Sequence, residues 1–187
     1  MKYCNYVNTK QGSKSVHRYS NGNTLPLVQL PFGMTAFAPQ TEADTRWYYH
    51  PDSRSLEGIR LTHQPSPWIA DYGAFVFLPQ NRLIAADNGR RWSGYRPEEA
   101  ILTPYYLKTR FLRSRCDFEL APTERGASAV ISFSDEGKNY LSVLPVKGNY
   151  TYRFDEKTRQ KQQSLHQSDI WRTHRADRSS PCHCLWI

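Results

Sequence analysis

The residues best equipped for chemistry lie in one stretch, Thr62-His63-Gln64-Pro65-Ser66-Pro67-Trp68-Ile69-Ala70-Asp71. Two prolines restrict its backbone, so a loop here can hold a fixed shape at little further entropic cost. Trp68 offers a flat apolar face suited to the C–H surface of a sugar. His63, Gln64 and Asp71 offer partners for hydroxyl groups. An aromatic platform with a few polar groups is what a small-ligand pocket requires. Each residue also has a plainer assignment. A Trp between Pro and Ile can anchor a core, Asp71 ahead of Tyr72-Gly73 suits a turn, and a lone His is often structural. The sequence leaves these alternatives open.

Other chemistries find less support. Cys4, Cys116, Cys182 and Cys184 fit neither a disulfide framework nor a zinc site, because Cys182-His183-Cys184 lacks a second ligand pair. Cys116 alternates in phase with Phe118 and Leu120, as a small buried hydrophobe would. No metal site is expected in this chain. The formal net charge is +8, which suggests nucleic acid, yet the basic residues are scattered and form no run. Arg113 and Arg115, read by strand alternation, share one solvated face. No nucleic-acid partner is expected. The start, Met1-Lys2-Tyr3-Cys4-Asn5, has no apolar signal-peptide core, and no stretch approaches the roughly 18 apolar residues of a membrane span. The expectation is a soluble, cytoplasmic chain without a membrane partner.

The elements that must position the loop read as strands. With 12 Tyr, 8 Phe and 5 Trp among 187 residues, and Pro and Gly spread as punctuation, the composition favours an all-β fold. Residues 1–24 read as a polar entry with a turn, and Leu25–Ala38 as two short strands with a kink. Further strands are predicted at Trp47–His50, Ile59–Thr62, Ala74–Leu78, Tyr105–Leu112, Cys116–Leu120, Ala127–Ser134, Tyr140–Val146 and Tyr150–Phe154. Ala129, Ile131 and Phe133 alternate with Ser128, Ser132 and Ser134, the clearest half-buried strand. Pro97–Leu102 offers the one helical turn. Strands at this spacing imply antiparallel sheets in a sandwich or barrel.

Residues 155–187 break the pattern. All 10 glycines precede them and they hold no Phe or Tyr, so they cannot bury enough apolar area to offset ordering entropy. The division expected is a sandwich over 1–154 and an irregular tail over 155–187. That tail reads either as a disordered linker or as translation out of frame after a lesion near Thr158–Ser164, the second being preferred.

Three blocks carry a resemblance. The first runs Gly22-Asn23-Thr24-Leu25-Pro26, then Leu30-Pro31-Phe32-Gly33-Met34 and Ala38-Pro39-Gln40-Thr41. The second is Gly58-Ile59-Arg60-Leu61-Thr62-His63-Gln64-Pro65-Ser66-Pro67-Trp68 with Asp71-Tyr72-Gly73. The third spans Thr103-Pro104-Tyr105-Tyr106 through Glu119-Leu120-Ala121-Pro122-Thr123-Glu124-Arg125-Gly126-Ala127. In this order and spacing, over about residues 5–154, they resemble the start of glycoside hydrolase family 92. The His63–Trp68 wording is similar to the branch found in Gram-positive bacteria.

The resemblance implies a calcium-dependent, inverting exo-α-mannosidase acting on N-glycan-type mannosides. It implies an amino-terminal β-supersandwich, galactose-mutarotase-like, packed on an (α/α) barrel that supplies the acid, the base and most calcium ligands. The sandwich would contribute part of the pocket, with the His63–Asp71 loop facing it and the barrel as its missing partner. Inverting chemistry needs an acid and a base roughly 6.5–9.5 Å apart. Thirteen carboxylates precede residue 155, and none is singled out. Glu57, Asp71 and Glu124 fall in the matching blocks without matching the family's acid or base. Glu124-Arg125 reads as a turn with a structural ion pair, and Trp47, Tyr48 and Tyr49 as core or interface filler. The expectation is a carbohydrate-facing domain with no catalytic residue or cofactor of its own. The alternative is a free-standing carbohydrate-binding module.

Overall fold

The computed structural model of the protein describes residues 3–14, 24–43, 48–63, 75–81, 85, 89–146 and 182–186. After a short 3-10 turn at Tyr3–Tyr6, the described elements are all strands. They are β1 (Ala36–Gln40), β2 (Ser55–Leu56), β3 (Gly58–Thr62), β4 (Phe75–Asn81), β5 (Ser93–Gly94), β6 (Ile101–Thr103), β7 (Tyr106–Phe111), β8 (Cys116–Pro122), β9 (Ala127–Phe133), β10 (Asn139–Pro145) and β11 (Cys182–Trp186). One sheet has the order β1-β3-β4-β10 and the other β11-β9-β8-β7-β6, while β2 and β5 form a two-stranded clip. Every pairing is antiparallel. No described helix is long and apolar enough to cross a membrane.

The five-stranded sheet follows the period-2 rule. Leu107, Thr109 and Phe111 on β7, Cys116, Phe118 and Leu120 on β8, and Ala129, Ile131 and Phe133 on β9 are all buried. Between them the alternate residues are at least partly exposed. There Lys108 sits opposite Glu119 and Arg110 opposite Asp117, with contacts of 2.8 and 2.5 Å. Cross-strand pairs of this kind fix register, because a one-residue slip would turn Phe118 to solvent and Glu119 into the core. Phe111 and Phe118 meet edge to face, with centroids 6.3 Å apart. Opposite them Phe37, Ile59, Phe77 and Leu141 of the four-stranded sheet close the same core.

That four-stranded sheet is covered on both sides. All of β1 is buried, as are the five central residues of β4. A second cluster of Ala38, Tyr48 and Tyr49, with Leu25 and Leu27, packs away from the main core. This explains one departure from expectation. Tyr48–His50 is not a strand but a covering segment, whose Tyr48 carbonyl takes the N–H groups of Thr41 and Glu42 at 2.7 and 3.0 Å. Consecutive tyrosines can both be buried in such a segment, whereas a strand would turn them to opposite faces.

Other departures are local. Leu25–Ala38 yields one isolated bridge, Val28 to Phe37, before β1 rather than two strands. Pro97–Glu99 is only a turn, and Ile101–Thr103 pairs with β7, whose hydrogen bonds outweigh one helical turn. Arg113 and Arg115 lie in the turn between β7 and β8, with Arg115 at φ +47°, so strand alternation does not apply to them. The expected strand at Tyr150–Phe154 lies outside the described residues. Cys182–Trp186 pairs with β9, where the sequence shows no strand period. Backbone bonding along a free sheet edge needs no side-chain alternation.

Gly58 is the most constrained backbone position. Its φ is +142°, and a Cβ there would lie 2.4 Å from Val76 Cγ1 and 2.9 Å from the Phe77 carbonyl oxygen. Gly58→Ala should therefore lower the unfolding free energy by roughly 3 kcal/mol, from backbone strain and overpacking together. Equilibrium urea unfolding followed by circular dichroism checks this, and an unchanged midpoint would contradict the geometry.

Candidate functional site

The site is built from strand ends. Thr62 at the end of β3 pairs with Ala36 at the start of β1, Leu61 with Phe75 at the start of β4, and Phe75 with Pro145 at the end of β10. Four strands thus start or stop at one rim of the sheet, and β3 delivers His63 there, exposed. The connection from β3 to β4 holds Gln64, Trp68 and Asp71, and these three lie outside the described residues. Of the four expected substrate residues, the structure places His63 alone.

β3 is held in place by a buried cation. Arg60 is only 1% exposed, and its Nε donates to Gln40 Oε1 at 3.1 Å. Its guanidinium carbon stands 3.9 Å from the Tyr48 ring centroid. A planar guanidinium can stack on an aromatic face and hydrogen-bond at its edge at once. Gln40 passes the chain on, donating from Nε2 to the Glu42 carbonyl at 3.0 Å. The strand that carries His63 is therefore braced from its side chains as well as its backbone.

The same rim carries a feature that the sequence reading passed over. Gln29 N–H donates to the Pro104 carbonyl at 2.8 Å, Gly33 N–H to Leu30 at 2.9 Å, and Met34 N–H to Glu124 at 2.7 Å. These bonds fix a turn that leads into β1 beside the end of β3. At its apex Phe32 is fully exposed and has φ +59°. A bulky residue in the left-handed region costs roughly 1–3 kcal/mol and is held there only by surrounding bonds. Met34, two residues on, and Tyr105, next to the Pro104 that holds Gln29, are also exposed, each by two-fifths or more. An apolar residue between Pro31 and Gly33, with no strand to bury it, was the available signal.

Glu124 departs from its expected role. Among the described residues it makes no ion pair with Arg125; its backbone carbonyl holds Met34 instead. The turn closes through Thr123 N–H on the Gly126 carbonyl at 2.7 Å. Tyr48 and Tyr49 are core, as expected, and burial pushes the Tyr49 phenol up to about 12. Cys116 is buried too, and burial raises its thiol well above the ordinary range.

Three described carboxylates, Glu119, Glu98 and Asp52, are poorly disposed to act as an acid. A general acid near neutral pH needs a raised pKa. Glu119 is instead held low by its bonds from Lys108 and Tyr106, Glu98 by Arg54, and Asp52 by Lys14. Glu57 is buried against Arg91 at 3.1 Å. For calcium the test is equally plain. Among the described residues no group of three or more His, Cys, Asp or Glu could hold a metal ion, so they do not form a calcium cage.

The sequence profile of the glycosyl hydrolase family 92 N-terminal domain matches residues 6–177. The chain belongs to this family, and the match runs past the boundary expected at residue 154. Among solved structures it is similar to the family GH92 inverting mannosidase BT2199 of Bacteroides thetaiotaomicron VPI-5482. That likeness has 34% identity and a TM-score of 0.68 over 75% of this chain and 19% of that one. The fold also resembles the GH92 α-mannosidase BT3965 of Bacteroides thetaiotaomicron, at 21% identity and TM-score 0.65 over 76% and 20% of the two chains. It further resembles the GH92 glycosyl hydrolase ccman5, at 15% identity and TM-score 0.63 over the same shares. The chain therefore spans about a fifth of the length of these solved relatives. No curated protein matches it.

The bracing of β3 is testable. Arg60→Ala removes a fully buried side chain and leaves Gln40 and Tyr48 facing a cavity, so it should destabilise the fold by roughly 3 kcal/mol. Arg60→Lys should recover only part of this, since an ammonium cannot both stack and bond in the guanidinium plane. Urea unfolding of the two variants decides, and full recovery by Lys would show that charge alone matters.

Proposed function

We propose that this sandwich forms the substrate-facing wall of a calcium-dependent, inverting exo-α-mannosidase acting on N-glycan-type mannosides. The His63–Asp71 stretch would contact the sugar. The general acid, the base and the calcium ligands would come from a catalytic region outside these 187 residues, so the chain alone would not hydrolyse mannosides. The family membership supports a mannosidase of this class. The downward-shifted and ion-paired carboxylates support placing the acid and base elsewhere.

The observation that carries the reading is the Phe32 turn. A fully exposed Phe, held at positive φ beside exposed Met34 at the rim where β3 ends, is an unfavourable surface unless another body covers it. We assign that cover to the catalytic region, which would bury the apolar turn and bring its carboxylates toward the His63–Asp71 loop. The sandwich then supplies binding and orientation, and the covering region supplies proton transfer.

The test replaces the corresponding domain of a family-92 mannosidase with this chain. The isolated chain should release no mannose from an α-mannoside in calcium, while the fusion should hydrolyse it. Trp68→Ala and Asp71→Asn in the fusion should each lower kcat/KM by roughly tenfold or more. Phe32→Ser should weaken association of the two parts. Hydrolysis by the isolated chain, or a fusion indifferent to Trp68 and Asp71, would overturn the assignment.

A further inference from the structure

The opposite end of the sandwich carries a concave surface. β7 runs from the Pro104 turn to the Leu112–Arg115 turn, a span of about 20 Å for six strand residues. At that far end β5 follows Trp92, which is half-exposed. Arg113 reaches across to it. Its Nη1 donates to the Arg90 carbonyl at 2.9 Å and to the Trp92 carbonyl at 3.1 Å. Its backbone N–H donates to Ser93 Oγ at 2.9 Å. The guanidinium carbon stands 6.0 Å from the Trp92 ring centroid.

These bonds make Arg113 unusual for an exposed arginine. Both anchors use Nη1, so the long side chain is already ordered, while Nε and Nη2 make no hydrogen bond among the described residues. The concavity it edges has a volume of about 640 Å3 and is lined by Gly89, Arg90, Trp92, Gly94, Leu112 and Arg113. Two guanidiniums and an indole line it, and among the described residues no carboxylate does. A smaller crevice of about 20 Å3 adjoins it, lined in part by Arg113 and Ser114. Ser114 Oγ is buried with no hydrogen-bond partner among the described residues. One water fits a polar crevice of that size.

We propose that this concavity binds an anionic saccharide, with a pyranose ring against the Trp92 face and its carboxylate or phosphate on the Arg113 fork. A flat indole suits the C–H face of a sugar ring and tolerates many sugars. A guanidinium binds a carboxylate or phosphate in a paired, directional way that a neutral hydroxyl cannot match. Because Arg113 is ordered beforehand, binding forfeits little side-chain entropy. Gly94 packs closely on Leu112, where a Cβ would come within 3.1 Å. This site does not depend on what the rim near His63 contacts. It would hold charged branches of a glycan away from the point of cleavage.

The test titrates the intact chain and follows the Trp92 indole N–H resonance, assigned by its loss in Trp92→Phe. The probes are mannose 6-phosphate, a glucuronate-terminated disaccharide, methyl α-mannoside and inorganic phosphate, at constant ionic strength. A saturating shift is expected with at least one anionic sugar, which also tells phosphate from carboxylate recognition. Methyl α-mannoside and inorganic phosphate should each bind roughly tenfold more weakly or worse. Arg113→Gln should weaken the anionic sugar by a similar factor. Arg113→Lys keeps the charge without the fork and should recover only part, which separates recognition from folding. Equal binding of inorganic phosphate would show an ion site only. Equal binding of methyl α-mannoside, no saturating shift, or indifference to both Arg113 variants would overturn the proposal.

Discussion

The fold depends on the burial of Arg60. A cation in the middle of a four-stranded sheet cannot simply face a second sheet of Leu, Phe and Ile, because removing a charge from water costs several kcal/mol unless it is hydrogen-bonded. Arg60 lies on the side away from the main core, against the Tyr48 ring and the Gln40 amide. That requirement forces a third layer. Tyr48 and Tyr49, with Leu25 and Leu27, cover the outer face, and the four-stranded sheet becomes a middle layer buried on both sides. Hydrogen bonds from Thr41 and Glu42 to the Tyr48 carbonyl tie this cover to the end of β1. A sheet made rigid in this way can hold its rim, where β3 releases His63, without support from the rim itself.

A buried ion pair does similar work at the other end. Arg91 and Glu57 are each about one-twentieth exposed and 3.1 Å apart. Burial pulls the Arg91 guanidinium below the ordinary arginine range, while Glu57 acts to keep it charged. Glu57 leads into β3 and Arg91 leads into β5, so the pair clips the β2–β5 ribbon onto the sandwich. Such a pair adds little net stability, yet it disfavours other registers by leaving a lone buried charge in each of them. The ion pairs on β7 and β8 are more exposed and each contributes at most about 1 kcal/mol. Their value lies in register, since each links residues directly opposite across the ladder.

Much of this was legible in the sequence. The half-buried strands Cys116–Leu120 and Ala127–Ser134 announced themselves by alternation, and β8 and β9 match within a residue or two. A sheet with one wet face writes its period into the chain. β1 and β4 write none, because both their faces are buried, and only the apolar run through Leu78 marked β4. Tyr48–His50 misled for the same reason: aromatic residues signal burial, and burial alone does not specify a strand. β11 was illegible because edge pairing uses backbone groups that every residue carries. At the candidate site, the family wording pointed to the His63–Asp71 stretch. Phe32 escaped notice, because its meaning lies in a backbone angle and a full exposure that no spacing encodes.

The two ends of the sandwich differ in a way that composition hides. At the rim near His63 the exposed groups include the apolar Phe32 and Met34, and the nearby hydrogen bonds hold Phe32 out rather than folding it in. At the far end they are cationic and aromatic, with Arg113 fixed on carbonyls beside an open indole. A net charge of +8 averages over both and invites a nucleic-acid reading. Many of the cations are also tied up singly, since Lys14, Arg54, Arg91, Arg96, Lys108, Arg110 and Arg115 each bind a carboxylate and so form no basic row. Local geometry therefore decides what the surface can recognise. An ordered guanidinium over an indole selects a small anionic ring, whereas an extended polyanion needs rows of mobile cations along its backbone.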